Sequence, residues 1–155
     1  MTGRAWFVDT SVLLRAMLGA SPAAQAWLDG ARVAGDTLVG SRLLDVETRR
    51  VVLNQELAGI LEPGHVVPDA YLSAFELATI DAELLEAAAT LRQQLRTVDA
   101  IHVATAVRIG VDEITVVTHD RQMQSACTAL GFAVVDPVTD DPLAGPSGAA
   151  PPSAA

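Results

Sequence analysis

Three aspartates stand beside core-forming segments. Asp9 directly follows the apolar run Ala5-Trp6-Phe7-Val8, Asp120 comes just after Ile114-Thr115-Val116-Val117, and Asp99 opens the helix-patterned stretch Val98-Asp99-Ala100-Ile101-His102-Val103-Ala104-Thr105-Ala106. A carboxylate beside a buried segment is costly unless something pairs with it. In an open α/β sheet, residues just past the carboxyl ends of strands converge on one crevice, so acids far apart in sequence can meet there and share a metal ion. Carboxylates with no cysteine or second histidine at ligand spacing suit Mg2+ or Mn2+, which prefer oxygen donors, and make zinc a poor fit.

Glu47 belongs with these acids because of its helix face. On a helix from Ser41, residues Leu43, Leu44, Glu47 and Val51 fall at spacings of three and four, which places Glu47 on the apolar stripe. Two readings remain open at this point: a metal ligand, or an ion pair with Arg50 one turn on. Asp45 faces Arg42 and Arg49 and reads as a solvated acid. Asp99, in the first turn after Thr97, would be favoured by the helix dipole in any case, and Asp120 can serve simply as the cap of the helix that follows it. Each alternative is adequate alone, whereas one shared site accounts for all four acids. Thr10, Ser11 and Thr118 carry hydroxyls able to orient those carboxylates. His102, three residues after Asp99 on the same side, reads as a hydrogen-bonded core histidine or a group touching substrate; His119 and His65 read as loop residues.

The elements that must position these residues alternate. A strand is expected over residues 4–8, a helix from Ser11 to about Leu18, a second helix from Ser21-Pro22, and a strand at Thr37-Leu38-Val39. A long helix from Ser41 to about Ile60, ended by Pro63-Gly64, precedes a helix from Pro68 to about Glu76 and a strand at Leu77-Ala78-Thr79-Ile80. Asp81 caps a helix running through Leu95, Thr97 caps another that Gly110 stops, Ile114 to Thr118 forms a strand, residues 120–130 a helix, and Phe132-Ala133-Val134-Val135 a last strand. The pattern predicts βαβ units around a parallel sheet. Residues 1–136 form one domain on this reading, and residues 137–155, rich in Pro, Ala, Gly and Ser, a disordered tail.

A chain of 155 residues that is 50% hydrophobic supports one domain with a substantial core. Its apolar stretches are broken well short of the ~20 residues that span a bilayer, and residues 1–9 lack the apolar core of a signal peptide, so a soluble, cytoplasmic protein without membrane association is expected. The lone cysteine, Cys127, reads as a small buried hydrophobe. The net charge is −9 and all ten basic residues are arginine. Such a chain repels polyanions at long range and can bind one only through cations or a local arginine patch.

Four segments in order resemble the PIN-domain ribonucleases, and in particular toxins of the VapC type: Phe7-Val8-Asp9-Thr10-Ser11-Val12-Leu13-Leu14, Ser41-Arg42-Leu43-Leu44-Asp45-Val46-Glu47-Thr48-Arg49-Arg50, Leu95-Arg96-Thr97-Val98-Asp99-Ala100-Ile101-His102-Val103-Ala104-Thr105-Ala106, and Val117-Thr118-His119-Asp120. The resemblance spans about residues 5–136, and its third segment is the most specific. It implies a three-layer α/β sandwich with about five parallel strands, and Asp9, Glu47, Asp99 and Asp120 as catalytic acids holding one or two Mg2+ or Mn2+ ions. Thr118 matches the small hydroxyl residue near the fourth acid. The implied activity is hydrolysis of RNA phosphodiester bonds, and the implied partners are a VapB-type antitoxin and a second copy of the chain.

Two other classes compete. Receiver domains and haloacid-dehalogenase-like enzymes also cluster aspartates at strand ends but use a lysine, which this chain lacks. A non-catalytic PIN-like metal- or RNA-binding regulatory module would share the acids without turnover. Among the arginines, Arg15, Arg42 and Arg49 are candidates to steady an RNA backbone, and nothing in the sequence selects among them.

Overall fold

Trp6, Phe7 and Val8 are all buried, as a strand covered on both faces requires. They lie in β1 (Ala5–Val8), the central member of a five-stranded sheet in the computed structural model, which describes residues 3–138. The other strands are β2 (Thr37–Ser41), β3 (Phe75–Ala78), β4 (Thr115–Val117) and β5 (Ala133–Val135). All neighbours pair in parallel, in the order β3-β2-β1-β4-β5. Side chains alternate along the strands. Trp6, Val8 and Val117 enter one core, against α1 (Thr10–Met17), α2 (Pro22–Val33), α3 (Arg42–Leu57) and α4 (Pro68–Leu72), while Phe7 and Val116 enter the other, beneath α6 (Thr97–Ile109) and α7 (Arg121–Ala129). The eight-residue helix α5 (Ala82–Ala89) packs on α6 through Leu84, Ala88 and Ala104. This is the expected three-layer sandwich.

The strand order decides where a site can form. From β1 the chain builds outward through β2 and β3, then crosses back to place β4 on the opposite side of β1. The carboxyl ends of β1 and β4 therefore flank the point where the sheet's connections diverge, the usual location of a crevice in an open α/β sheet. Asp9 and Thr118 follow these two strands directly.

Local chemistry explains both the agreements and the shifts from expectation. Ser21 accepts the Ala24 N–H at 3.1 Å and Pro22 opens α2, as read from sequence. Gly110, at φ +127°, stops α6. Helix α3 ends at Leu57 rather than near Ile60, because Gly59 adopts φ +70° just past its last turn. Helix α5 ends at Ala89 rather than Leu95: the Thr90 hydroxyl closes it on the Ala87 carbonyl at 3.1 Å, and Leu91 and Leu95 leave the helix to pack into the core. Strand β3 starts at Phe75, not Leu77, since Phe75 pairs with Leu38 and fills the same core. Gly40 lets α3 fold close over β2, for a Cβ there would meet a Leu44 methyl carbon at 2.6 Å.

Pro137 and Val138 were assigned to the tail on composition, but Pro137 is buried and Val138 packs against the first core. The rest of the expected tail lies outside the described residues. Among the described residues no helix is long and apolar enough to cross a membrane.

Candidate active site

Asp9 occupies the N-cap position of α1 yet caps nothing with its side chain. Its backbone N–H instead donates to the Val117 carbonyl at 2.9 Å, extending the β1–β4 ladder by one residue. Its carboxylate is 4% exposed. Oδ2 accepts the Ser11 hydroxyl at 2.6 Å and the Thr118 hydroxyl at 2.9 Å. Both hydroxyls are in turn anchored, Ser11 Oγ by the His119 N–H at 3.2 Å and Thr118 Oγ1 by the Asp120 N–H at 3.1 Å. Short hydroxyl bonds to a carboxylate are the strong, charge-assisted kind, and here they tie the β1–α1 turn to the β4–α7 turn. Ser11 and Thr118 thus orient the Asp9 carboxylate, as their hydroxyls suggested.

Glu47 projects from the second turn of α3. Its Oε1 accepts the Thr10 hydroxyl at 2.9 Å and meets His102 Nε2 at 2.6 Å. His102 is 1% exposed, and its Nδ1 meets the Ser41 hydroxyl at 2.8 Å. Burial alone would raise the Glu47 pKa, but the hydrogen bond and charge of His102, the Thr10 hydroxyl and the field of Arg96 together hold it below the usual carboxylate value. Burial likewise works to lower the His102 pKa, and is outweighed by the Glu47 hydrogen bond and the fields of Asp9, Glu47 and Asp99, which raise it. The Arg50 partner considered for Glu47 is not used, since Arg50 donates to Asn54.

Asp99 lies buried in the first turn of α6, and its Oδ2 accepts Arg96 Nε at 2.8 Å. A second guanidinium nitrogen of Arg96 lies 3.6 Å from Asp120 Oδ2, while Asp120 Oδ1 accepts the Met123 N–H at 2.8 Å and caps α7. The capping role read for Asp120 is therefore real, and its other oxygen still faces the cleft. Arg96 has its pKa raised chiefly by the Asp99 hydrogen bond, then by the charges of Asp99, Asp120 and Asp9.

Asp9, Glu47, Asp99 and Asp120 thus surround one imidazole and one guanidinium, with His102 in the field of the first three and Arg96 against the last two. The donors match a hard cation in kind, being oxygens throughout, and Asp9 Oδ1 accepts no hydrogen bond from the described residues. Among the described residues no three Asp, Glu, His or Cys side chains stand in an arrangement ready to hold an ion. The Arg96 guanidinium stands between Asp99 and Asp120.

Three participants escaped the sequence reading. Arg96 and Ser41 were not singled out, although Arg96 sits three residues before Asp99, a spacing at which helical side chains meet. Asp136 follows β5 as Asp9 follows β1. Its Oδ2 meets His119 Nδ1 at 2.9 Å and accepts Gln124 Nε2 at 3.1 Å, and the same amide donates to the Thr118 carbonyl at 3.0 Å. This second network fixes the loop that carries Thr118 and Asp120. Of the arginines considered for RNA, Arg49 is spent on Asp45 and Asp69, and Arg15 donates to the Ser11 carbonyl at 2.8 Å.

The fold and the placement of the acids define a class, and sequence comparison agrees. A family model for the PIN domain matches residues 6–128, and the chain belongs to that family. It is 36% identical over 100 residues to Ribonuclease VapC46 of Mycobacterium tuberculosis (strain ATCC 25618 / H37Rv), covering 64% of this chain and 73% of that protein. Ribonuclease VapC47 of Mycobacterium tuberculosis (strain CDC 1551 / Oshkosh) is 28% identical over 135 residues, which is 84% of this chain and 96% of that protein. Two solved structures share the fold. The crystal structure of VapBC2 from Rickettsia felis, bound to a DNA fragment from its promoter, superposes with a TM-score of 0.60 at 14% identity, over 85% of this chain and 98% of that one. PAE2754 from Pyrobaculum aerophilum gives a TM-score of 0.59 at 18% identity, over 88% of this chain and 85% of that one.

Proposed function

We propose that the protein is a VapC-type ribonuclease, the toxin of a toxin–antitoxin pair, which hydrolyses RNA phosphodiester bonds with Mg2+ or Mn2+. The observation that carries this reading is that Asp9 and Asp120 follow the adjacent strands β1 and β4, while His102 holds Glu47 and Arg96 joins Asp99 to Asp120, all inside the segment matched by the PIN family model. The homology to ribonucleases named VapC supports RNA as substrate, and the fold shared with VapBC2 supports an antitoxin partner of the VapB kind. A homodimer and a cytoplasmic site of action complete the proposal.

Asp9, Glu47, Asp99 and Asp120 would hold the divalent ion. When bound, such an ion supplies a water-derived nucleophile and neutralises charge on the phosphate oxygens. The remaining work falls to the chain. Ser11 and Thr118 fix the Asp9 carboxylate through Oδ2 and leave Oδ1 without a hydrogen bond from the described residues, and Thr10 with His102 does the same for Glu47 by engaging Oε1 alone. Holding ligands in advance avoids reorganisation during the reaction. At a net charge of −9 the protein attracts RNA poorly at long range, so cations at the cleft itself must dominate binding.

The test is cleavage of RNA by purified protein with Mn2+ or Mg2+, with EDTA, and for Asp9→Asn. Metal-dependent cleavage by the wild type that EDTA and the substitution both remove is expected. Metal binding without cleavage of any RNA would instead favour the non-catalytic regulatory module.

A further inference from the structure

Helix α7 has one committed face and one free face. Met123 and Cys127 enter the core, and Gln124 donates to the Thr118 carbonyl and to Asp136. Gln122, Ser125, Ala126 and Ala129, at helical spacings of three and four, line a surface groove together with Gln93 and Gln94. The last two stand there because α5 stops at Ala89, and because Leu91 and Leu95 pin the following segment to the core. The side chains of Gln93, Gln94, Gln122 and Ser125 make no hydrogen bond among the described residues. Three amides and a hydroxyl therefore line the groove without a partner in the chain.

Position and chemistry narrow what fits there. Gln122 lies two residues after Asp120, the cap of α7, and Gln94 two residues before Arg96, which reaches Asp99 and Asp120. From Gln122 to Ala129 the groove follows α7 for about 10 Å, at 1.5 Å per residue. A strand with one phosphate at the acids thus brings a neighbouring nucleotide to the groove. It encloses about 260 Å3, below the ~300–1,000 Å3 of sites for drug-sized molecules, which leaves room for a single base. No charged side chain lines it, in a chain with nineteen acids, and Arg121 beside Gln122 makes no ion pair among the described residues. No aromatic ring lines it either, so a base is held there by its edge and not by stacking, and edges carry sequence information. Arginine suits guanine and an acidic side chain suits cytosine, whereas glutamine pairs with adenine by donating and accepting at once.

We propose that this groove is a base-reading subsite, which takes an unpaired adenine next to the scissile phosphate of the RNA through the amides of Gln93, Gln94 and Gln122. The inference rests on the reading of the adjoining acids as a ribonuclease site.

Nucleoside 5′-monophosphates, which offer no phosphodiester to cleave, test it on the full chain in Mg2+ by NMR. AMP should shift the side-chain amide signals of Gln93, Gln94 and Gln122 and bind about tenfold more tightly than UMP, CMP or GMP, the scale of one bidentate base contact. The double substitution Gln94→Ala and Gln122→Ala, at two exposed positions, should bring AMP down to the level of the others. On RNA, wild-type cuts should cluster beside adenines, and the double variant should lose that bias. Amide signals that AMP does not move, or an AMP preference that survives the double substitution, would overturn the inference. Cleavage of RNA without any adenine bias overturns the inference alone. An AMP preference that the double variant loses, in a protein that cleaves no RNA, leaves the groove as an adenine site and overturns the ribonuclease reading.

Discussion

The two ends of β1 carry aspartates with opposite purposes. At the amino end, Asp36 is a half-buried clasp: its Oδ1 accepts the Arg4 N–H at 2.9 Å and its Oδ2 the Trp6 indole N–H at 2.8 Å, so every donor it meets lies in β1 or just before it. At the carboxyl end, Asp9 is buried, shares one oxygen between two hydroxyls and leaves the other to the cleft. The same residue type therefore stabilises structure where it finishes its bonding and, on the proposed reading, serves chemistry where it is held unfinished. Direction of the strand decides which, because the parallel sheet diverges at its carboxyl edge alone.

The comparison breaks most visibly on activity. Asp9→Asn is expected to lower RNA cleavage by on the order of a thousandfold, the scale on which a preorganised electrostatic group is lost. Asp36→Asn should leave cleavage unchanged. Mn2+ should raise the melting temperature of wild type and Asp36→Asn equally, by mass action on the folded state, and raise that of Asp9→Asn far less. Equal Mn2+ responses in all three proteins would show that Asp9 takes no part in holding the ion.

A subtler break comes from the support of Asp9. Thr118→Val keeps the shape but removes the hydroxyl that donates to Asp9 Oδ2 and accepts the Asp120 N–H. Loss of an outer-shell partner costs about 10- to 100-fold in metal affinity or activity, so cleavage should fall in that range and half-saturating Mn2+ should rise. Thr118→Ser, which restores the hydroxyl, should recover most of both. Failure of serine to rescue would mean that threonine's methyl group, packed in a fully buried position, matters more than its bond.

The acids were legible in sequence because each adjoins a local pattern: Asp9 and Asp120 follow strands, Asp99 opens a helix, and Glu47 interrupts an apolar helix stripe. Their partners were not, because partnership here is long-range. Glu47 had a plausible neighbour in Arg50 three residues on, yet its bond goes to His102, and Ser41 reaches the same ring. Arg96 was hidden by the expectation that α5 runs to Leu95, which would bury it in helix continuation; only the actual end at Ala89 frees it to stand before α6 and turn toward Asp99. Asp136 was lost in the shift to tail-like composition that begins at Pro137. Fold class and strand sequence survived such errors because a parallel sheet needs only the alternation of elements, whereas β3 slipped by two residues because helix and strand patterns overlap around Phe75.

The smallest effect separates the two aspartates by pH. The indole hydrogen bond from Trp6, then the Arg4 amide, hold the Asp36 pKa below its ordinary value of 3.8 despite a small opposing effect of desolvation. A carboxyl whose folded-state pKa is depressed contributes stability that is fully present above the unfolded value and is lost as pH falls through the folded one. Wild type should therefore melt above Asp36→Asn near neutrality by a small margin, since the clasp lies at the surface and solvent screens it. That margin should persist down to about pH 5 and close as the pH drops below the unfolded carboxyl's value. Thermal scans of the two proteins in EDTA across that window measure it. A margin that does not change with pH would show that the Asp36 clasp works through its geometry and not through its charge, and would remove the electrostatic half of the contrast with Asp9.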